Sequence, residues 1–348
     1  MGIKNWIDKN EKLHYMLKAF KHLNDSEYRK FFLEREYNPL LLEAHSNGVK
    51  FKEQRFYYIR ENGNGYGFFA EFHALLDKFK FAEMFGMTPI VYWGDSFLYI
   101  ENHSVQGTNN GYQYYFDQPT QYNIEDLDNA YFVMNAKNTQ APWIEKTFDK
   151  GEDISEQYEL IMAEMYRKYI HLNDQVDKQI SKDIEMLLED RRTLGVHFRG
   201  TDFKENYNFH PVNVKMEQEF KVIDELLEKE NYEQIFLATD DKTAIEEFAN
   251  KYGKKIRSYQ DVFRGTTNFS VAFSHAARQN HHYQLGYEVL RDMLTLSNCD
   301  GLVAGISQVS ICARIAKKAR NEQYHSVVII DNGKNRNDKI FSPKDIRN

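Results

Sequence analysis

From residue 194 to residue 331 short apolar runs alternate with amphipathic stretches, and that alternation leaves few folds open to the chain. A strand over 194–198 is followed by the helical stretch KMEQEFKVIDELLEKE. QIFLATDD (234–241) reads as a strand ending in two acids, and a helix through Ala249 leads to KKIRSY. After a loop over 264–284, a helix over 286–297 precedes the strand GLVAG (301–305). A helix over 307–320 and the strand VVIID (327–331) close the series. Strands separated by helices predict an α/β fold with a parallel, doubly wound sheet. Ligands of such sheets bind at the carboxyl ends of the strands, so the loops that follow them matter most.

The first half is less regular. Residues 1–50 are charged and helical in pattern, with Leu13, Met16, Leu17 and Phe20 at helix spacing, and read as surface helices without chemistry. FYYIR (56–60) predicts a strand, Gly63, Gly65 and Gly67 a tight turn, and Phe68, Phe72, Leu75, Phe79 and Ala82 one face of a helix. PIVYW (89–93) completes a βαβ unit. A glycine turn at a helix N-terminus suits an anion. The spacing is G-x-G-x-G, not the dinucleotide fingerprint, and a purely conformational turn explains it as well. Residues 94–152 read as aromatic loops with short elements, and 153–190 as helix broken near Asn173–Asp174. The expected division is an N-terminal α/β domain over 1–190 and a C-terminal, Rossmann-like domain over 191–348.

Composition narrows the class. With 348 residues, two ordinary domains fit. Lys plus Arg (45) against Asp plus Glu (52) gives a net charge of −7, which argues against a nucleic-acid-coating protein. Cys299 and Cys312 sit in apolar stretches and read as buried thiols rather than a disulfide. No C-x-x-C or H-E-x-x-H motif points to zinc, and no apolar stretch is long enough for a signal peptide or a membrane span. The expectation is a soluble, cytoplasmic protein.

Chemistry gathers in three strand-end loops. The first, in TLGVHFRGTDFKENYNFHP (193–211), holds His197, Arg199, Thr201, Asp202, Glu205 and His210. Arg199 is suited to gripping a phosphate with paired hydrogen bonds, and a nearby carboxylate to accepting a hydroxyl proton. Equally, Arg199 and Asp202 pair across the loop, and His197 is a core histidine. The second loop is Ala238–Thr239–Asp240–Asp241, whose acids suit a guanine edge or a ribose, or else cap the next helix. The third, Gly305–Ser310, offers Ser307 and N–H groups at a helix N-terminus, again an anion site or an ordinary cap. Together the three favour a phosphate-bearing nucleotide.

GVHFRGTDF…FHP, FLATDD and LRDMLTLSNCDGLVAGISQVS resemble the three motif regions of GT-B fucosyltransferases. The likeness is strongest to the α1,6-fucosyltransferase group, with nodulation and protein O-fucosyltransferases more distant. Weaker likeness in GNGYGFFAEFHALL and YRKYIHLNDQVDKQISKDIEML extends it over much of 56–320. The resemblance implies a GT-B-like fold of two Rossmann-like domains facing a cleft. It also implies inverting, metal-independent transfer of L-fucose from GDP-fucose to a glycan or glycoconjugate hydroxyl, with no resident cofactor.

By position, Arg199 matches the arginine that binds the donor β-phosphate, with His197 beside it. Asp241, together with Asp240, matches the guanine-recognising acid. Ser307 and Gln308 match phosphate contacts, and Tyr66 and Gly67 the loop approaching from the other domain. Glu205 falls, after a one-residue gap, at the catalytic carboxylate, with Asp202 the other candidate base. The family's Arg-Arg is here Arg199–Gly200, and the SH3-like domain of the animal enzymes is not expected. The acceptor is open, and a lipid-linked acceptor at a membrane surface is included. Tyr92, Trp93, Tyr112, Tyr114, Tyr115, His275, His281 and His282 suit stacking on sugars or simply packing. Another nucleotide sugar, a non-catalytic binding protein and an NAD-type oxidoreductase are the competing readings. The last explains the glycine turn but leaves the first loop and ATDD unused.

Overall fold

The computed structural model describes residues 42–62, 66–136, 152–201, 205–266 and 270–339. Two sheets organise it. The first has the order β1 (Leu42–His45), β4 (Val133–Ala136), β2 (Phe56–Arg60), β3 (Thr88–Tyr92). β1 runs antiparallel to β4, and β4, β2 and β3 are parallel. Helix α1 (Phe68–Met84) crosses from β2 to β3 and buries Phe68, Phe72, Leu75 and Phe79, the face expected from the spacing.

The second sheet is wholly parallel, in the order β7 (Ile256–Arg257), β6 (Gln234–Thr239), β5 (Thr193–Phe198), β8 (Gly301–Gly305), β9 (Ser326–Ile330). Its helices are α4 (Met216–Lys229), α5 (Lys242–Tyr252), α6 (His281–Asn298) and α7 (Gln308–Ala319). Ahead of the sheet come α2 (Glu156–Tyr169) and α3 (Asp174–Leu188). They are separated where Asn173 caps α3 by accepting from the Val176 N–H at 3.0 Å, the break expected there.

The period of two along the strands sorts the core. Val196 and Phe198 of β5, Ile235 and Leu237 of β6 and Val303 of β8 face α4 and α5. Phe236, Ala238, Leu302 and Ala304 face the other way, into a core shared with Phe68, Phe72, Phe116, Met162 and Ile311. His197 lies between Val196 and Phe198 and therefore points to that second face. α2 packs along α7 and α1, so this core is continuous between the sheets. Cys299 and Cys312 are buried in it as free thiols. Among the described residues no helix is long and apolar enough to cross a membrane.

Two expectations need correction. Residues 42–45, read within a helical region, form strand β1, and the rest of that region up to 41 lies outside the described residues. Strand β4 is one of the short elements expected in 94–152 and needs no correction, though nothing in the local pattern marked it as a strand. Both are four residues long, and their pairing with each other and with β2 outweighs local pattern. The loop expected over 264–284 ends early, because α6 begins at His281.

Candidate functional site

The chain runs from β5 outward to β6 and β7, then returns across β5 to β8 and β9. The connections after β5 and β8 therefore leave in opposite directions. A crevice opens between their carboxyl ends, the place where doubly wound sheets take ligands. His197 and Ser307 bracket it, with the imidazole Nδ1 3.2 Å from the serine hydroxyl oxygen. Burial holds the His197 imidazole down to about 4, helped by the Arg199 charge and opposed by Asp240. The ring is neutral at physiological pH.

The first and second loops are tied together through Asp240. Its Oδ2 lies 2.7 Å from the Arg199 guanidinium and accepts from the Thr201 hydroxyl at 2.7 Å. Its Oδ1 accepts from the Gly200 N–H at 3.0 Å. Burial alone would push the Asp240 carboxyl up, but Arg199, Thr201 and Gly200 overcome it and hold the carboxyl below its usual range. Asp241 caps α5, accepting from the Thr243 N–H at 2.9 Å. The two acids thus divide their work: one orients Arg199 and the other caps a helix. Asp202, the alternative partner and alternative base, lies outside the described residues.

Gly200 accounts for the missing second arginine. A Cβ at this position would lie 2.4 Å from Asp241 Cβ and 2.5 Å from its Oδ2. The close approach that brings Gly200 N–H to Asp240 leaves no space for a side chain.

In the third loop Ser307 caps α7, accepting from the Ser310 N–H at 3.1 Å, while the Ser310 hydroxyl returns to Gly305 O at 2.9 Å. Gln308 Oε1 lies 2.6 Å from His73 Nδ1 on α1. His73 Nε2 lies 3.0 Å from the Tyr158 hydroxyl, which donates to Asp77. This buried series joins α7 to α1 and α2. Gly67 caps α1, and Tyr66 precedes it. They stand about 9 Å along the helix axis from His73, at a rise of about 1.5 Å per residue. Gly67 is exposed with open space around it. Gly63 and Gly65 lie outside the described residues.

Glu205 forms an ion pair with Lys339, whose ammonium also sits over the Tyr207 ring at 5.1 Å. The chain after β9 fixes this region. The Val212 N–H donates to Gly333 O (2.7 Å), Phe209 N–H to Asn335 O (2.9 Å) and Asn208 N–H to Lys339 O (2.7 Å). The arrangement depends on a segment more than a hundred residues away in the chain, and no local pattern announces it.

A small cavity between the first and third loops is lined by Arg199, Val214, Glu219, Gly305 and Ser307, among others. Glu219 is the residue that sequence reasoning missed, because a glutamate in the first turn of an amphipathic helix reads as solvated. Its spacing carried a signal: it lies four residues before the fully buried Ile223, on the apolar face of α4.

The aromatic loops are mostly core. Trp93, Tyr112, Tyr114 and Tyr115 are at most 1% exposed, and Tyr115 stacks on Tyr283 with its hydroxyl donating to Tyr283 O at 2.9 Å. They offer no face to a sugar. His281 is buried beside Ser274 and Arg278. Tyr92 and His282 are half-buried and His275 exposed, so these three alone of the set keep access to solvent.

Residues 158–325 match the family model for alpha-(1,6)-fucosyltransferase N- and catalytic domains, a span that contains all three loops. No curated protein matches the chain in sequence. Among solved structures it is similar to the NodZ alpha-1,6-fucosyltransferase soaked with GDP-fucose, at 15% identity and TM-score 0.44 over 76% of this chain and 92% of that one. It is similar to fucosyltransferase NodZ from Bradyrhizobium at 15% identity and TM-score 0.43, with the same 76% and 92% coverage. POFUT1 in complex with GDP-fucose aligns at 11% identity and TM-score 0.43 over 81% of this chain and 99% of that one.

Proposed function

We propose that this chain, whose residues 158–325 match the model of a fucosyltransferase catalytic domain, moves L-fucose from GDP-fucose to a carbohydrate or glycoconjugate hydroxyl, with inversion and without a metal. The observation that carries the reading is the meeting of Arg199 and the α7 N-terminus at the switch point of the parallel sheet, inside the matched segment. A cation and a helix N-terminus there are suited to a diphosphate.

In this reading Glu205 accepts the proton of the acceptor hydroxyl as its oxygen attacks the anomeric carbon of fucose. The bond from that carbon to the β-phosphate oxygen breaks, and GDP leaves with the electron pair. Arg199 and the Ser307 end of α7 meet the charge that grows on the leaving diphosphate, so their contacts strengthen as the bond breaks. His197, neutral and facing Ser307, keeps a second positive charge away from Arg199. The β-phosphate contact of Arg199, guanine recognition near Asp240 and Asp241, the phosphate contacts of Ser307 and Gln308, and the approach of Tyr66 and Gly67 belong to this proposal.

The experiment is a glycan array probed with labelled GDP-fucose in the presence of EDTA, beside calorimetric titrations with GDP and NAD. Fucoside formation with GDP release is the expected result. Tight NAD binding without GDP binding, or no transfer by folded protein across a broad array, would overturn the proposal.

A further inference from the structure

Glu219 and Ile223 lie one turn apart on α4, exposed by 1% and 0%. Neither carboxyl oxygen of Glu219 has a hydrogen-bond partner among the described residues. An unmet buried carboxyl is costly, and an ionised one more so, which calls for an explanation in this particular place. That place is the cavity between the first and third loops, which Glu219 lines together with Arg199, Asn213, Gly305 and Ser307.

The lining selects among ligands. A second cation or an apolar group would meet the Arg199 guanidinium unfavourably. An anionic oxygen would meet that guanidinium and the positive end of the α7 dipole. The cavity has room for about one water-sized group, which is the size of one oxygen. We propose that Glu219, as the neutral acid, donates a hydrogen bond to one phosphate oxygen of the donor diphosphate seated between Arg199 and Ser307. The inference rests on the donor reading given above and adds to it a binding residue and a protonation state.

Burial holds the Glu219 carboxyl well above its ordinary range, which supplies the proton. Ionised, it would set a negative charge against the phosphate. The charged and titratable groups set near it are Arg199 after β5, His197 on β5 behind Ser307, and Tyr252 on α5, whose hydroxyl donates to Asp224 of α4. Strands β8 and β9 carry no titratable side chain. Arg199 stays charged. His197 is held at about 4 and is neutral above that. Burial, then Asp224, pushes the Tyr252 hydroxyl above its usual range. Glu219 is therefore the acid here that burial keeps protonated above the ordinary carboxylate range.

The test measures GDP affinity by calorimetry from neutral to alkaline pH for wild type, Glu219→Gln and Glu219→Leu, with the melting temperature of each. GDP titrates identically in all three, so differences between them report Glu219. Wild-type affinity is expected to fall towards alkaline pH. Glu219→Gln, whose amide donates at every pH, is expected to bind with a flatter profile. Glu219→Leu should melt higher, because an unmet polar group is gone, yet bind GDP about tenfold more weakly. Wild-type affinity in the leucine variant, or equal pH slopes in wild type and the glutamine variant, would overturn the inference and leave the donor reading standing. No GDP binding by wild type would remove both.

Discussion

The guanidinium of Arg199 lies 2.7 Å from Asp240 Oδ2, and the same carboxylate takes the Gly200 N–H and the Thr201 hydroxyl. The second strand-end loop thus holds the first in place. Asp240 holds Arg199 just beyond the carboxyl end of β5, where it lines the cavity between the first and third loops.

Replacing Asp240 by Asn keeps the shape but removes the charge and turns an amide donor toward other donors. We expect a loss of about 1–3 kcal/mol in stability, from an unmet buried group, together with weaker GDP binding. The folded carboxyl titrates below its unfolded value, so its stabilisation is complete above about pH 4 and is lost as pH falls through the folded value. Acid denaturation curves of Asp240→Asn should be flatter over that range, and an unchanged curve would contradict the pairing.

His197 gives a second pH signature. Its imidazole falls from 6.5 unfolded to about 4 folded, chiefly by burial, so the unfolded state binds the extra proton between those values. Stability is full above pH 6.5 and declines towards pH 4, by about 3 kcal/mol in all. Replacement of His197 by Gln should flatten chemical-denaturation stability across this window. The same slope in variant and wild type would place the acid sensitivity elsewhere.

Gly200 is expected to tolerate no side chain. Gly200→Ala places a Cβ 2.4 Å from Asp241 Cβ and should cost about 1–3 kcal/mol through the forced shift. Because the shift moves the Gly200 N–H off Asp240, GDP affinity should fall as well. Wild-type melting and affinity in this variant would show that the loop has slack.

Much of the second sheet was legible because buried parallel strands are plain apolar runs. GLVAG is β8 as read, and FLAT ends β6 at Thr239. The Asn173 break was legible because a cap is a local device. What escaped depends on distant pairing. Strands β1 and β4 exist through each other, Glu205 meets Lys339 across 134 residues, and Trp93 and Tyr112 to Tyr115 read the same in a core as on a surface. Asp240 and Asp241 are adjacent in sequence, and only the fold separates the partner of Arg199 from the cap of α5.

Glu205 separates catalysis from binding. As the base, Glu205→Gln should lower turnover about 10²–10⁴-fold with little change in GDP affinity. Lys339 pairs with Glu205 but not with Arg199 or Ser307. Lys339→Met should therefore also change turnover more than affinity. Full activity in Glu205→Gln would remove it from the mechanism, and an inactive but GDP-binding Asp202→Asn would put Asp202 in its place.

The central claim is that Arg199 holds the donor diphosphate, and titration of GDP into wild type and Arg199→Ala, with melting temperatures alongside, tests it most directly. A charge-assisted contact to phosphate contributes about 1.5–3 kcal/mol, so the account predicts GDP binding at least about tenfold weaker in the variant. If Arg199→Ala melts lower yet binds GDP as tightly as wild type, Arg199 serves only to pair with Asp240 and the account is wrong.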